Sequence, residues 1–172
     1  TGTAFAQAYP AKPLTVIVPF PAGGGTDLIA REVTTKIQTT KGWNFVIENR
    51  PGTGGNIGID VVAKSPADGY TIALGQTSNL AINPTLYAKL PYDAQNGFTT
   101  LAIVYRGPML FMVDPASPIT SLKDLVQQSQ ATPNGLDFAS AGTGSIMHLV
   151  GQQLVRSTNA KLTHVPNRGT AA

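Results

Sequence analysis

Two stretches of this sequence offer backbone amides, rather than reactive side chains, as the chemical groups. Phe20-Pro21-Ala22-Gly23-Gly24-Gly25-Thr26-Asp27 and Ser140-Ala141-Gly142-Thr143-Gly144-Ser145 each run from an apolar segment, through small residues and a hydroxyl, into a helix-period pattern. A glycine loop of this kind leaves main-chain N–H groups unpaired, and the first-turn amides with the helix dipole favour an anionic group there. Glycine matters because a side chain would hold a ligand away from the backbone. As a matched pair the loops read as a grip that closes on a carboxylate from two sides. Each loop taken alone also fits an ordinary tight turn with an N-cap. Asp27 is either a first-turn acid that offsets the helix dipole or a partner for a ligand ammonium. Ser78 and Asn79, just past a third apolar segment, hydrogen-bond the ligand or cap a short helix. His148, one turn into the helix after the second loop, touches ligand, supports the loop, or packs as a structural histidine.

Other chemistries lack their residues. The chain has no cysteine, no Gly-x-Ser-x-Gly elbow and no His-Glu-x-x-His; Ser145 follows Gly144 without the second glycine two places on. Its two histidines, His148 and His164, and its nine carboxylates form no compact motif for acid–base catalysis or Ca²⁺. Gly23-Gly24-Gly25-Thr26-Asp27 is neither a dinucleotide fingerprint nor a lysine-bearing P-loop, and Asp27 would repel a phosphate at that helix end. The expectation is therefore no enzyme, no metal and no cofactor. Twelve Lys and Arg against nine Asp and Glu leave a net charge of +3, but the basic residues are scattered singly. No stripe follows a phosphate backbone, so nucleic acid is not the expected partner.

The elements that must position these loops follow from periodicity. Leu14-Thr15-Val16-Ile17-Val18 is a β-branched run without alternation, which suits a strand covered on both faces. Thr26 stands where a helix N-cap belongs, and Leu28, Ile29, Val33 and Ile37 give a helical face ending near Gly42. Strands are expected at 45–47, 71–74, 136–139 and 162–165, and helices from Asn56 to Ala63, from Ser121 and over 146–156. Strands alternating with helical segments imply an α/β sheet built from βαβ crossovers. Residues 99–105 and 109–113 read as two long neighbouring strands linking two lobes, with Trp43, Phe111, Met109 and Met112 as core or lobe packing. With 172 residues, 42% hydrophobic and 12% charged, the chain can bury a core and is not a disordered segment. No apolar run approaches the ~18 residues a membrane helix needs. Ala4-Phe5-Ala6-Gln7-Ala8 resembles the small-residue end of a secretory signal.

With those residues in hand, the chain resembles the Bug-type extracytoplasmic solute receptors of tripartite tricarboxylate transporters. The resemblance rests on Tyr9-Pro10-Ala11-Lys12-Pro13, Val18 through Asp27, Glu48-Asn49-Arg50-Pro51-Gly52-Thr53-Gly54-Gly55-Asn56-Ile57-Gly58 and Ser65-Pro66-Ala67-Asp68-Gly69-Tyr70-Thr71. Ile82-Asn83-Pro84, Ser140 through Ser145 with His148-Leu149, and His164-Val165-Pro166 complete it. It implies a periplasmic-binding-protein-like α/β fold of type II, with a ligand cleft between two lobes. Residues 1–8 would be a signal remnant or tail, 9–104 the first lobe, and 105–172 the opening part of an incomplete second lobe. It further implies an exported periplasmic receptor that captures a small carboxylated solute and delivers it to the membrane components of a tripartite transporter. Mono- and dicarboxylates, acidic amino acids and aromatic acids all fit. The implied contacts are Phe20 through Asp27, Ser78, Asn79 and Ser140 through Ser145. Pro166-Asn167-Arg168-Gly169 departs from the relatives' Pro-Tyr-Lys-Gly and removes an aromatic there. A chain stopping at Ala172 is expected to expose sheet edges and to pair through them with another copy or fragment. The alternatives are a nucleotide-binding or enzymatic α/β fragment and a sensory binding module.

Overall fold

The computed structural model describes residues 9–169, and the expected signal-derived tail over residues 1–8 lies outside them. A three-stranded parallel sheet has the order β2-β1-β3, with β1 at Leu14–Val18, β2 at Phe45–Asn49 and β3 at Thr71–Ala73. The central position of β1 explains its unbroken apolar run, since Ile17 and Val18 are fully buried. Helix α1, Gly25–Lys41, joins β1 to β2, and α2, Asn56–Ala63, joins β2 to β3. Val16, Val18 and Ala30 form the core with Phe45, Ile47, Ile72 and Leu74 packed around them. Pleating turns Ile17 to the opposite face, on the side of the sheet where α2 packs against β1 and β3.

A wide helical turn at Ser78–Ile82 runs into the short helix α3, Asn83–Leu86. Helix α4, Leu122–Ala131, then leads to a second parallel pair, β4 at Leu136–Ser140 and β5 at Leu162–Pro166, joined by α5 at Ile146–Thr158. Ser121 caps α4 as its sequence implies: its Oγ accepts the Asp124 N–H at 3.1 Å. The box is closed one residue early, because the Asp124 carboxylate accepts from the Thr120 N–H and hydroxyl. Gly42 ends α1 in the left-handed region at φ 70°, its N–H on the Gln38 carbonyl.

Two expectations are corrected. Thr26 does not cap α1: Gly24 occupies that position without a side-chain cap, and the Thr26 hydroxyl instead meets the Gln76 side-chain amide beyond β3. Residues 99–105 and 109–113 form no strand among the described residues. A β-rich segment becomes a strand only where another edge supplies partners, and none of the described strands pairs with these. The side chains expected to pack are correspondingly exposed, with Leu101 at 76%, Leu110 at 73% and Met112 at 85%, and Phe111 and Met109 exposed as well. Trp43 meets Tyr9 edge-on at 5.9 Å rather than sitting in a core.

Candidate functional site

Parallel strands deliver their carboxyl ends to one edge of each sheet, and both glycine loops lie there, between β1 and α1 and between β4 and α5. The first loop is braced from beneath by Asp27. This buried carboxylate accepts the Gly23 N–H and the Arg31 Nε, both at 2.9 Å, on one oxygen and the Asn49 side-chain amide at 3.0 Å on the other. The hydrogen bond from Arg31, assisted by those from Gly23 and Asn49 and by the Arg31 charge, outweighs the cost of burial and holds Asp27 down at about 2. Asn49 also donates to the Phe20 carbonyl at 3.0 Å, so β2 and α1 fix the loop together. Its amides are therefore largely committed inward: Gly23 to Asp27 and Gly24 to the Pro21 carbonyl at 3.4 Å.

The second loop is held by its own hydroxyls. Ser140 Oγ accepts the Gly142 N–H at 3.1 Å and meets His164 Nε2 at 2.6 Å; Ser145 Oγ accepts the His148 N–H and caps α5. Gly144 donates to His148 Nδ1 at 3.4 Å. Gly142 and Gly144 sit at φ 126° and 82°, conformations that disfavour any side chain.

A third turn, Gly52-Thr53-Gly54-Gly55, closes the arrangement from the end of β2. A methyl group on Gly55 would lie 2.6 Å from Asn79 Nδ2 and 3.2 Å from the Phe20 ring, so glycine lets the turn settle onto the first loop. A methyl on Gly144 would lie 2.5 Å from Asn83 Oδ1 and 3.0 Å from Leu86 Cδ2, which brings the second loop against α3. Tyr87 donates its hydroxyl to the Thr143 carbonyl at 3.4 Å across the same junction. Between these pieces lies a cavity of about 270 Å³, lined by Phe20, the Gly52–Gly55 turn, Tyr87, Ala141 to Thr143 and Pro166 to Arg168. The amides of Thr53, Gly54, Ala141 and Thr143 have no protein acceptor among the described residues, and all four residues line this cavity. Arg168 is the single charged residue of the lining.

Of the residues singled out in the sequence, Phe20, Ala141, Gly142 and Thr143 reach the cavity wall. Pro21, Ala22, Gly23, Gly24, Thr26 and Asp27 form the first loop and its brace behind Phe20, while Ser140, Gly144, Ser145 and His148 shape the second loop from outside the wall. Ser78 and Asn79 are buried beneath the first loop: Asn79 Oδ1 accepts the Gln76 N–H at 2.9 Å, and its carbonyl accepts the Tyr92 hydroxyl at 2.7 Å. Asn79 Nδ2 and Asn83 Oδ1 are buried without hydrogen-bond partners among the described residues. The Gly52–Gly55 turn and Tyr87 were not among the expected site residues. The turn carried the same glycine signal as the two loops, whereas no local pattern marks Tyr87, which arrives through the fold of α3. Among the described residues no group of three His, Cys, Asp or Glu side chains forms a metal site, and no helix is long and apolar enough to cross a membrane.

Residues 29–172 match the family model described as the tripartite tricarboxylate transporter family receptor. The chain belongs to that receptor family. BugT of Bordetella pertussis is 37% identical over 166 residues, covering 96% of this chain and 51% of BugT. A UPF0065 protein encoded in the tcbD-tcbE intergenic region of Pseudomonas sp. strain P51 is 37% identical over 165 residues, covering 96% of this chain and 49% of that protein. The chain thus spans about half the length of the curated relatives it matches. Among solved structures, R. palustris Rpa4515 with adipate superposes with a TM-score of 0.90 at 36% identity, covering 94% of this chain and 54% of that one. MatC from Rhodopseudomonas palustris with bound malate gives 0.85 at 31% identity, over 94% of this chain and 55% of that one. The periplasmic binding protein BugD gives 0.78 at 30%, over 95% and 54%. The fold is accordingly that of the receptor family's periplasmic binding proteins, over about half of their length.

Proposed function

We propose that this chain contributes the solute cleft of a periplasmic receptor that captures a small carboxylate-bearing molecule and hands it to the membrane components of a tripartite transporter. One observation carries the reading: Thr53, Gly54, Ala141 and Thr143, whose amides have no protein acceptor among the described residues, come from both sheets and line a single cavity of about 270 Å³. Main-chain N–H groups stabilise a carboxylate by hydrogen bonding without a fixed counter-charge, and they need not reorganise when the ligand arrives. The cavity volume suits a small organic acid rather than a nucleotide. Adipate and malate in the two Rhodopseudomonas relatives support the ligand class.

Nothing in the cleft supports turnover. Ser140 and His164 touch, but the serine is buried at 5% exposure, its hydroxyl accepts the Gly142 N–H, and no carboxylate hydrogen-bonds His164 among the described residues. Capture by closure, with release to a membrane partner, needs only the two loops and a hinge. The test is a calorimetric and thermal-shift screen against mono-, di- and tricarboxylates, acidic amino acids, aromatic acids and nucleotides. Stabilisation by one or more acids supports the reading, and a response confined to nucleotides would overturn it.

A further inference from the structure

Behind the second loop, two histidines from different elements are stacked face to face. The rings of His148 on α5 and His164 on β5 lie 4.0 Å apart at 22°, and the Phe138 ring of β4 covers His164 from 5.1 Å. Each imidazole is tied to a different glycine of the loop. His148 Nδ1 accepts the Gly144 N–H, and His164 Nε2 meets the Ser140 hydroxyl that accepts the Gly142 N–H. Gly142 and Gly144 flank Thr143, which lines the cavity and whose amide has no protein acceptor among the described residues. The Thr143 N–H shares its peptide plane with the Gly142 carbonyl, which accepts the Ser140 hydroxyl at 3.2 Å, and the planes on either side are held through the Gly142 and Gly144 N–H groups.

We propose that His164 is a positioning residue for solute capture, acting through Ser140 and His148 to hold the Thr143 amide in place, and that one proton on the pair releases the loop. The inference rests on the second loop forming part of the solute site. The chemistry sets its direction. A proton on His148 Nδ1 abolishes the acceptor that Gly144 requires, while a proton on His164 places a charge against the face of its neighbour. Burial, aided by His148, pushes the His164 imidazole below its ordinary value, so its neutral form is favoured further into acidic solution than that of a free imidazole. The charged residues on the surrounding elements are Asp137 on β4, Arg156 on α5, and Lys161 and Arg168 beside the ends of β5. None of them forms an ion pair with either ring among the described residues.

The experiment measures malate and adipate affinity from pH 8 to pH 5 for the wild type, His164→Phe and His164→Gln, together with the Gly142 and Gly144 amide shifts of the ligand-free proteins. At pH 8, His164→Phe keeps the stack but loses the Ser140 contact and weakens binding about tenfold. His164→Gln restores the contact and returns affinity to within about threefold of wild type. Wild-type affinity falls with acid by up to about tenfold per pH unit once the pair holds its proton, and both variants, which lack the His164 proton site, follow a different profile. The acids' own titration is common to all three proteins and cancels in the comparison. Equal affinity of His164→Phe and wild type at pH 8, no rescue by His164→Gln, or one pH profile shared by all three would overturn the proposal. If no acid binds the wild type at any pH, the functional reading fails instead. The positioning claim is then still decided by whether the Gly142 amide follows the imidazole titration in wild type and loses it in His164→Phe, which leaves His148 and its Gly144 contact in place.

Discussion

Asp27→Asn separates a brace from a ligand contact. In the folded chain Asp27 is 2% exposed, and both of its oxygens are occupied by Gly23, Arg31 and Asn49. Its ionisation is lowered from 3.8 to about 2, chiefly by the hydrogen bond from Arg31. At about 1.4 kcal/mol per pH unit that gap corresponds to roughly 2.4 kcal/mol of stability. Arg31 is half exposed, and solvent screening of its charge reduces the figure to between about 1 and 2 kcal/mol. Because the folded-state value lies below the unfolded one, the contribution is complete above pH 3.8 and is lost as pH falls through about 2. Roughly half of it is gone by pH 3. Asparagine places an NH₂ group against one of three donors, which adds about 1 kcal/mol of pH-independent cost. Urea unfolding of both proteins at pH 7, 5, 4 and 3 therefore shows a stability gap of about 2 to 3 kcal/mol at pH 7 that narrows by about half to 1 kcal/mol at pH 3. Acid affinity at pH 7 changes by less than about threefold, because the carboxylate sits beneath the loop. A gap that is constant with pH would refute the ionic brace. A collapse of acid binding at unchanged stability would show that Asp27 touches the solute.

Gly144→Ala puts a methyl group 2.5 Å from Asn83 Oδ1 at a φ of 82°, so the second loop cannot seat against α3. Acid binding falls at least about tenfold and stability by about 1 to 2 kcal/mol, read by calorimetry and thermal unfolding. Tyr92→Phe removes the hydroxyl that lies between Asn56 Oδ1 at 2.8 Å and the Asn79 carbonyl at 2.7 Å, its single proton shared between them beneath the cleft. It destabilises by about 1 to 2 kcal/mol with little change in acid affinity, and an affinity loss without destabilisation would contradict the packing role. Self-association through the exposed side chains of Leu101, Ile103, Leu110 and Met112 is the expected outcome, and Leu101→Asp with Met112→Asp then shifts light scattering towards the monomer. Unchanged scattering by the double variant would remove that segment from the contact.

The parts of the fold that can be read from the sequence are those whose signals are local. The uninterrupted run Leu14 to Val18 marks a buried central strand, Ser121 with Asp124 marks the start of α4, and the glycine loops mark two of the turns at the strands' carboxyl ends. The errors arose where a distant partner decides the outcome. Thr26 has the composition of a cap but is drawn to Gln76, fifty positions away. Residues 99–113 have strand-forming side chains, but no described strand edge lies beside them. The proposed site is legible in the sequence as glycine loops at strand ends more than as a residue list. Glycine content announces open amides, but it does not tell which are spent internally. Asp27 and the Pro21 carbonyl occupy those of Gly23 and Gly24, leaving those of Thr53, Gly54, Ala141 and Thr143 for the cavity.

A structure of the protein with a bound organic acid would test the central claim most directly. The expected result is a carboxylate within about 3 Å of the Thr143 or Ala141 amide on one side and the Thr53 or Gly54 amide on the other. An acid bound outside the cavity, or held by Arg168 alone with those amides more than about 4 Å away, would contradict the account.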